Sequence, residues 1–223
     1  MNQIMNKNET YIFIIWEKAR NKTDEIIDDL NKNYVLRNIV EITWSQNEFL
    51  NNLRRFYGQS LPDADKKAEV CGTGPFLLIV VTDLNPKFNE PSKSGISSDR
   101  DYVNVNIFNS KEKFRKISCK EFTVHSSISQ NETNHNLTLL FGKNMNDFTK
   151  VLDDTWDGVI KKMESDLIGT NGWKNMKELL YVMNGTINYV ILRNFEGIPD
   201  KFDYNDIDLL VENEKLAYIV KKD

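Results

Sequence analysis

Cysteine, histidine and proline are all scarce in this sequence, and each scarcity excludes a class of explanation. Two cysteines, Cys71 and Cys119, lie 48 residues apart with no Cys-x-x-Cys spacing. They outline neither a disulfide framework nor a structural zinc site, and His125 and His135 are not placed to complete one. So low a cysteine count fits a reducing compartment. No apolar run approaches the ~18 residues a membrane helix needs. The apolar stretch Tyr11–Trp16 is six residues long and is followed by charges, so it is not a signal-peptide core. The expectation is a cytoplasmic protein with no membrane partner. Charge of one sign is lacking too: a formal charge of -4 and a pI near 5.4 leave no strong nucleic-acid footprint. The 29 Lys and Arg still permit a local basic groove.

What is present is ordinary for a globular protein, with 40% hydrophobic and 28% charged residues in a chain long enough for one large domain or two small ones. Tyr11–Trp16 reads as a strand buried on both faces, because it is continuous and not alternating. Ile26, Ile27 and Leu30 recur at helical spacing behind Asp24 and Glu25, and Tyr34–Trp44 returns to β character. The opening is therefore a β-α-β unit. Ser45-Gln-Asn-Glu48 has the form of a capping box before a helix that ends at Gly58. Residues 59–75 read as loop, and Phe76–Val81 as the central strand. A long connection, 84–101, interrupts the pattern before a strand at 103–108, a short helix capped by Ser110, a short strand at 122–125, and a helix from Asn131 to Gly142. Beyond a boundary near 143–146, apolar spacing predicts a helix over 146–167 and a second over 173–183, stopped at Asn184-Gly185. The predicted fold class is α/β. A mixed-sheet N-terminal domain (10–143) is followed by a helical hairpin and an incomplete nucleotidyltransferase-like β unit (146–223).

Near the end, the apolar run from Tyr189 leads through a polar loop to Asp206-Ile-Asp208-Leu-Leu-Val211. Residues two apart on a strand face the same way, so Asp206 and Asp208 stand together. Paired carboxylates repel unless a cation lies between them, and hard oxygen ligands suit magnesium. The order helix, strand, loop, Asp-x-Asp strand over about residues 173–211 resembles the polymerase-β-type nucleotidyltransferases. The resemblance implies that Asp206 and Asp208 are catalytic ligands of Mg2+ or Mn2+. It also implies a third carboxylate from a later strand, beyond Asp223, and a Gly-rich turn where this chain has Arg193-Asn194. The implied activity is a nucleotidyl- or phosphotransferase acting on a nucleotide or phosphorylated small molecule.

Phosphate contacts are expected from Arg193, which precedes the loop, and from Arg100, Lys111 and Arg115. His125 and His135 belong with the last three, since both histidines fall within eleven residues beside basic groups. Glu132 and His135 lie one helical turn apart and can face one site, which suits acid–base work on a phosphorylated ligand. An enzyme centred on these histidines is one alternative. A non-catalytic module binding a nucleotide or a protein is another, with the Asp pair merely exposed. Two further features read as structural: Cys71-Gly-Thr-Gly-Pro75, which precedes a strand and is no Walker motif, and Arg54-Arg55 before Phe56-Tyr57.

Overall fold

The computed structural model describes residues 8–58, 61, 63–89, 102–118, 122–152, 154–201 and 206–211. The β-α-β opening forms as β1 (Glu9–Ile15), a 3-10 turn (Glu17–Lys22), α1 (Thr23–Asn33) and β2 (Val35–Thr43). Two helices, α2 (Phe49–Tyr57) and α3 (Ala64–Cys71), lead to β3 (Phe76–Asp83). After a two-residue strand β4 (Phe88–Asn89) come β5 (Val103–Asn104), α4 (Val105–Ile117), β6 (Val124–Ser126), α5 (Gln130–Phe141) and α6 (Met145–Thr149). β7 (Lys161–Glu164), α7 (Met176–Thr186), β8 (Tyr189–Arg193) and β9 (Asp208–Val211) complete the described chain.

The main sheet has five strands in the order β6-β1-β3-β2-β7. β3 runs antiparallel to both β1 and β2 and lies between them, so the opening β-α-β unit is split by the third strand. β6 is antiparallel to β1, and β7 adds a parallel pairing to β2, which makes the sheet mixed. Two small sheets, β4-β5 and β8-β9, stand apart from it. The protein is a mixed-sheet α/β fold, as the sequence predicts.

Each face of the main sheet carries its own core, and this is why Tyr11–Trp16 is apolar at every position. Tyr11, Phe13 and Ile15 pack with Ile26 and Leu30 of α1 and Ile107 and Phe114 of α4. Ile12, Ile14 and Trp16 face the other way, onto Phe49, Leu53 and Phe56 of α2, Leu137 and Leu140 of α5, and Val182 and Met183 of α7. The centre of that second core is aromatic. The Phe76 ring lies 4.6 Å from that of Trp16 and 4.8 Å from that of Trp44. Each fully buried ring contributes about 1.5–3 kcal/mol. The chain on both sides of the expected boundary at 143–146 shares this sheet and this core, through β7 and through Leu180 of α7.

Several local expectations are corrected. The helix expected over 146–167 forms only as α6. Gly158 takes φ +86°, Val159 N–H bonds the Asp157 carboxylate at 2.9 Å, and the next residues enter β7, so a turn ends the apolar spacing. Among the described residues the helical hairpin is thus the single helix α7. That helix runs through Asn184-Gly185, because Gly185 is the contact with α5: a Cβ there would lie 2.4 Å from Thr138 Oγ1. Within residues 59–75 a helix, α3, does form, capped by Asp63 accepting from Lys66 N at 2.9 Å. The strand expected at 103–108 stops at Asn104, whose side chain caps α4 from Asn106 N at 2.9 Å. Ser45 caps no helix either; its hydroxyl donates to Asp166 at 2.7 Å, and α2 begins at Phe49.

Candidate functional site

The hairpin of β8 and β9 places Arg193 directly opposite Asp208. Arg193 Nε bonds the Asp208 carboxylate, and its Nη2 lies 3.8 Å from Asp206. The amide of Asn194, held at φ +61°, also donates to Asp206, at 3.3 Å. The cation beside the Asp pair is therefore the guanidinium, and a divalent ion bridging the two carboxylates would have to displace it. No group of three or more His, Cys, Asp or Glu side chains gathers for a metal among the described residues. Arg193 is 64% exposed, so the ion pair is screened and contributes about 0–1 kcal/mol.

Three of the other expected residues, Lys111, Arg115 and His125, converge elsewhere, at the β6 edge of the main sheet. His125 pairs with Ile14 across β1 and β6, which points its imidazole to the α2 and α5 face. Its ring packs edge-on against Phe56 at 5.4 Å and Tyr57 at 5.3 Å. The Asn136 side-chain amide, one turn beyond Glu132 on α5, lies 3.2 Å from His125 Nε2. Glu132 Oε1 is 3.8 Å from the same nitrogen, while its Oε2 accepts from Ile128 N at 2.7 Å. Nδ1 makes no hydrogen bond among the described residues.

Cations surround this imidazole. Lys111, only 8% exposed, rests over the Phe108 ring and forms no ion pair among the described residues. Arg115 donates from Nε to the Val124 carbonyl at 3.1 Å, capping the open edge of β6, and pairs with Glu112 at 2.9 Å. From α3, Lys67 reaches over the Tyr57 ring and donates to the Phe122 carbonyl at 2.8 Å. Burial, then Lys111, Lys67 and Arg115, and finally His135, push the His125 pKa well below the usual imidazole range. Burial likewise lowers the Lys111 ammonium, against the pull of Glu132, and lowers Lys67. The result is a neutral imidazole set among positive charges, with Tyr57 held as a phenol by burial.

His135 does not share this site. Its Nε2 lies 3.3 Å from the Phe56 carbonyl, and burial takes its pKa down to about 4, so it ties α5 to the end of α2. Arg100 lies outside the described residues. Sequence reading missed Asn136, Tyr57, Lys67 and Phe122. Lys67 was hidden in an expected loop. Asn136 and Tyr57 have no local signal, since their role depends on where α5 and α2 meet β6.

No protein-family model matches the chain, and no curated protein matches it. Among solved structures, an orthorhombic crystal form of the nucleoside diphosphate kinase of Aquifex aeolicus is similar over 63% of this chain and 99% of that one, at 13% identity and a TM-score of 0.40. A likeness at that score carries nothing about chemistry, which rests on the site's own geometry. Among the described residues, no helix is long and apolar enough to cross a membrane.

Proposed function

We propose that this chain binds a phosphate-bearing small molecule, a nucleotide or a phosphorylated metabolite, beside His125, and accepts a phosphoryl group on that imidazole. The observation that carries the reading is the pairing of a neutral, oriented His125 with Lys111, a nearly buried cation that lacks an ion-pair partner among the described residues. Burying a cation is costly, Glu132 offsets only part of that cost, and an anionic ligand would offset more of it. Arg115 and Lys67 add charge on the same side, and all three suit the non-bridging oxygens of a phosphate.

A histidine nucleophile needs one nitrogen protonated and the other free. Asn136 Oδ1 is buried with no partner, so turning that amide end for end breaks no bond at the oxygen. Asn136 then accepts from Nε2–H, and the nearby Glu132 carboxylate favours the same tautomer. The Nδ1 lone pair forms the bond to phosphorus as the bond from phosphorus to the leaving oxygen breaks, and that oxygen keeps the electron pair. Nε2 keeps its proton, and the positive charge developing on the ring faces Glu132. Magnesium or manganese enters as the counter-ion that a polyphosphate carries. Asp206 and Asp208, already engaged by Arg193, hold the β8-β9 hairpin in this reading.

Incubation with a nucleoside triphosphate labelled in its terminal phosphate tests the proposal. Acid-labile, base-stable label is expected on the wild-type chain and none on His125→Asn. Label on neither, with ligand still bound, would identify a non-catalytic binding module instead.

A further inference from the structure

We infer that the ligand carries a planar ring, as a nucleotide does, and that Phe122 is the platform on which this ring stacks. The inference rests on the reading of the His125 cluster as a phosphate site and specifies the other end of its ligand.

Phe122 is out of place as a folding residue. Its backbone takes φ +69°, a region costly for a bulky side chain and comfortable for Gly or Asn. Its side chain is 50% exposed, so burial does not compensate for the strain. The conformation is held from behind: the Phe122 carbonyl accepts from Lys67 Nζ at 2.8 Å and from Cys71 Sγ at 3.3 Å. With the carbonyl fixed inward, the ring is turned outward. Lys67 Nζ lies 5.6 Å and Arg115 Cζ 5.4 Å from the ring centroid, so the two cations of the proposed phosphate site also flank this ring. Phe122 lies three residues before His125, a reach of about 10 Å along an extended chain. A nucleoside polyphosphate spans a similar distance from its ring to its terminal phosphate. An aromatic face binds any base by stacking, so the platform selects nucleotides over simple phosphates with little choice among bases.

Calorimetric titration of the full chain with a purine nucleoside triphosphate and with inorganic tripolyphosphate, both with magnesium, tests this. The nucleotide is expected to bind the wild type roughly tenfold tighter than tripolyphosphate. Phe122→Asn, which suits the left-handed backbone, should remove that gap, leave tripolyphosphate affinity unchanged and melt no lower than wild type. Phe122→Trp should keep the gap. Equal affinities for the two ligands in the wild type, or a gap that survives Phe122→Asn, would overturn the stacking inference and leave the phosphate site standing. Failure of tripolyphosphate to bind the wild type would overturn the phosphate site, and the inference with it.

Discussion

Replacing Lys111 with methionine should make the protein more stable and less able to bind phosphate at the same time. Lys111 sits on α4 with its stem packed and its ammonium nearly buried. Its lowered pKa means that burial outweighs the pull of Glu132, so carrying the charge costs more in the folded chain than in the unfolded one. Methionine keeps a flexible stem against the Phe108 ring and carries no charge. Removing the desolvation cost is expected to add about 1 kcal/mol, or about 2–4 °C in Tm for a chain of this size. The same change removes a charge-assisted contact to phosphate, of about 1.5–3 kcal/mol, which is a roughly ten- to hundredfold weaker Kd for tripolyphosphate. His125 should titrate at higher pH in the variant, because Lys111 leads the charges that depress it. Thermal melting, calorimetry and an NMR titration of the imidazole read these three effects. A lower Tm combined with unchanged tripolyphosphate affinity would refute the reasoning, since Lys111 would then be an ordinary structural residue.

Two other expectations concern pH and the Asp pair. His125 and His135 both have lowered pKa values in the fold, so the unfolded chain binds the extra protons and stability falls as pH drops below about 6.5. Between about pH 7.5 and about pH 5.5 each histidine should contribute roughly 1 kcal/mol to that loss, seen as a lower urea midpoint; a midpoint that does not move across this range contradicts the burial of both rings. Asp208→Asn breaks an exposed ion pair with Arg193 and should change stability by less than about 1 kcal/mol. It should leave phosphoryl transfer intact, whereas abolished transfer would return the chemistry to the Asp-x-Asp strand.

Much of the scaffold was legible because it is written in local patterns. The unbroken apolar run of β1 called for cover on both faces, and it has α1 and α4 on one side and α2, α5 and α7 on the other. Gly58 and Gly142 end α2 and α5 as expected, the latter in the left-handed conformation. Errors arose where one local signal overrode another. Asp157-Gly158 turned a helical-looking segment into a strand, and the contact with Thr138 let a helix continue through Gly185. The site was half legible. Lys111, Arg115 and His125 are close in sequence and were grouped, because α4 and β6 are neighbours in the fold. Lys67 and Tyr57 lie 58 and 68 residues before His125, and no sequence pattern announces that meeting. Arg193 is set beside the Asp pair by register across a hairpin, which the spacing of Asp206 and Asp208 does not reveal.

The central claim is that His125 presents a free Nδ1 to a phosphate held by Lys111 and Arg115. NMR of the protein after incubation with a nucleoside triphosphate and magnesium, with the histidine rings labelled with nitrogen-15, tests it most directly. Phosphorus bonded to Nδ1 of His125, with Nε2 still protonated, is the expected result. Phosphorus on Nε2, on His135 or on no histidine would contradict it.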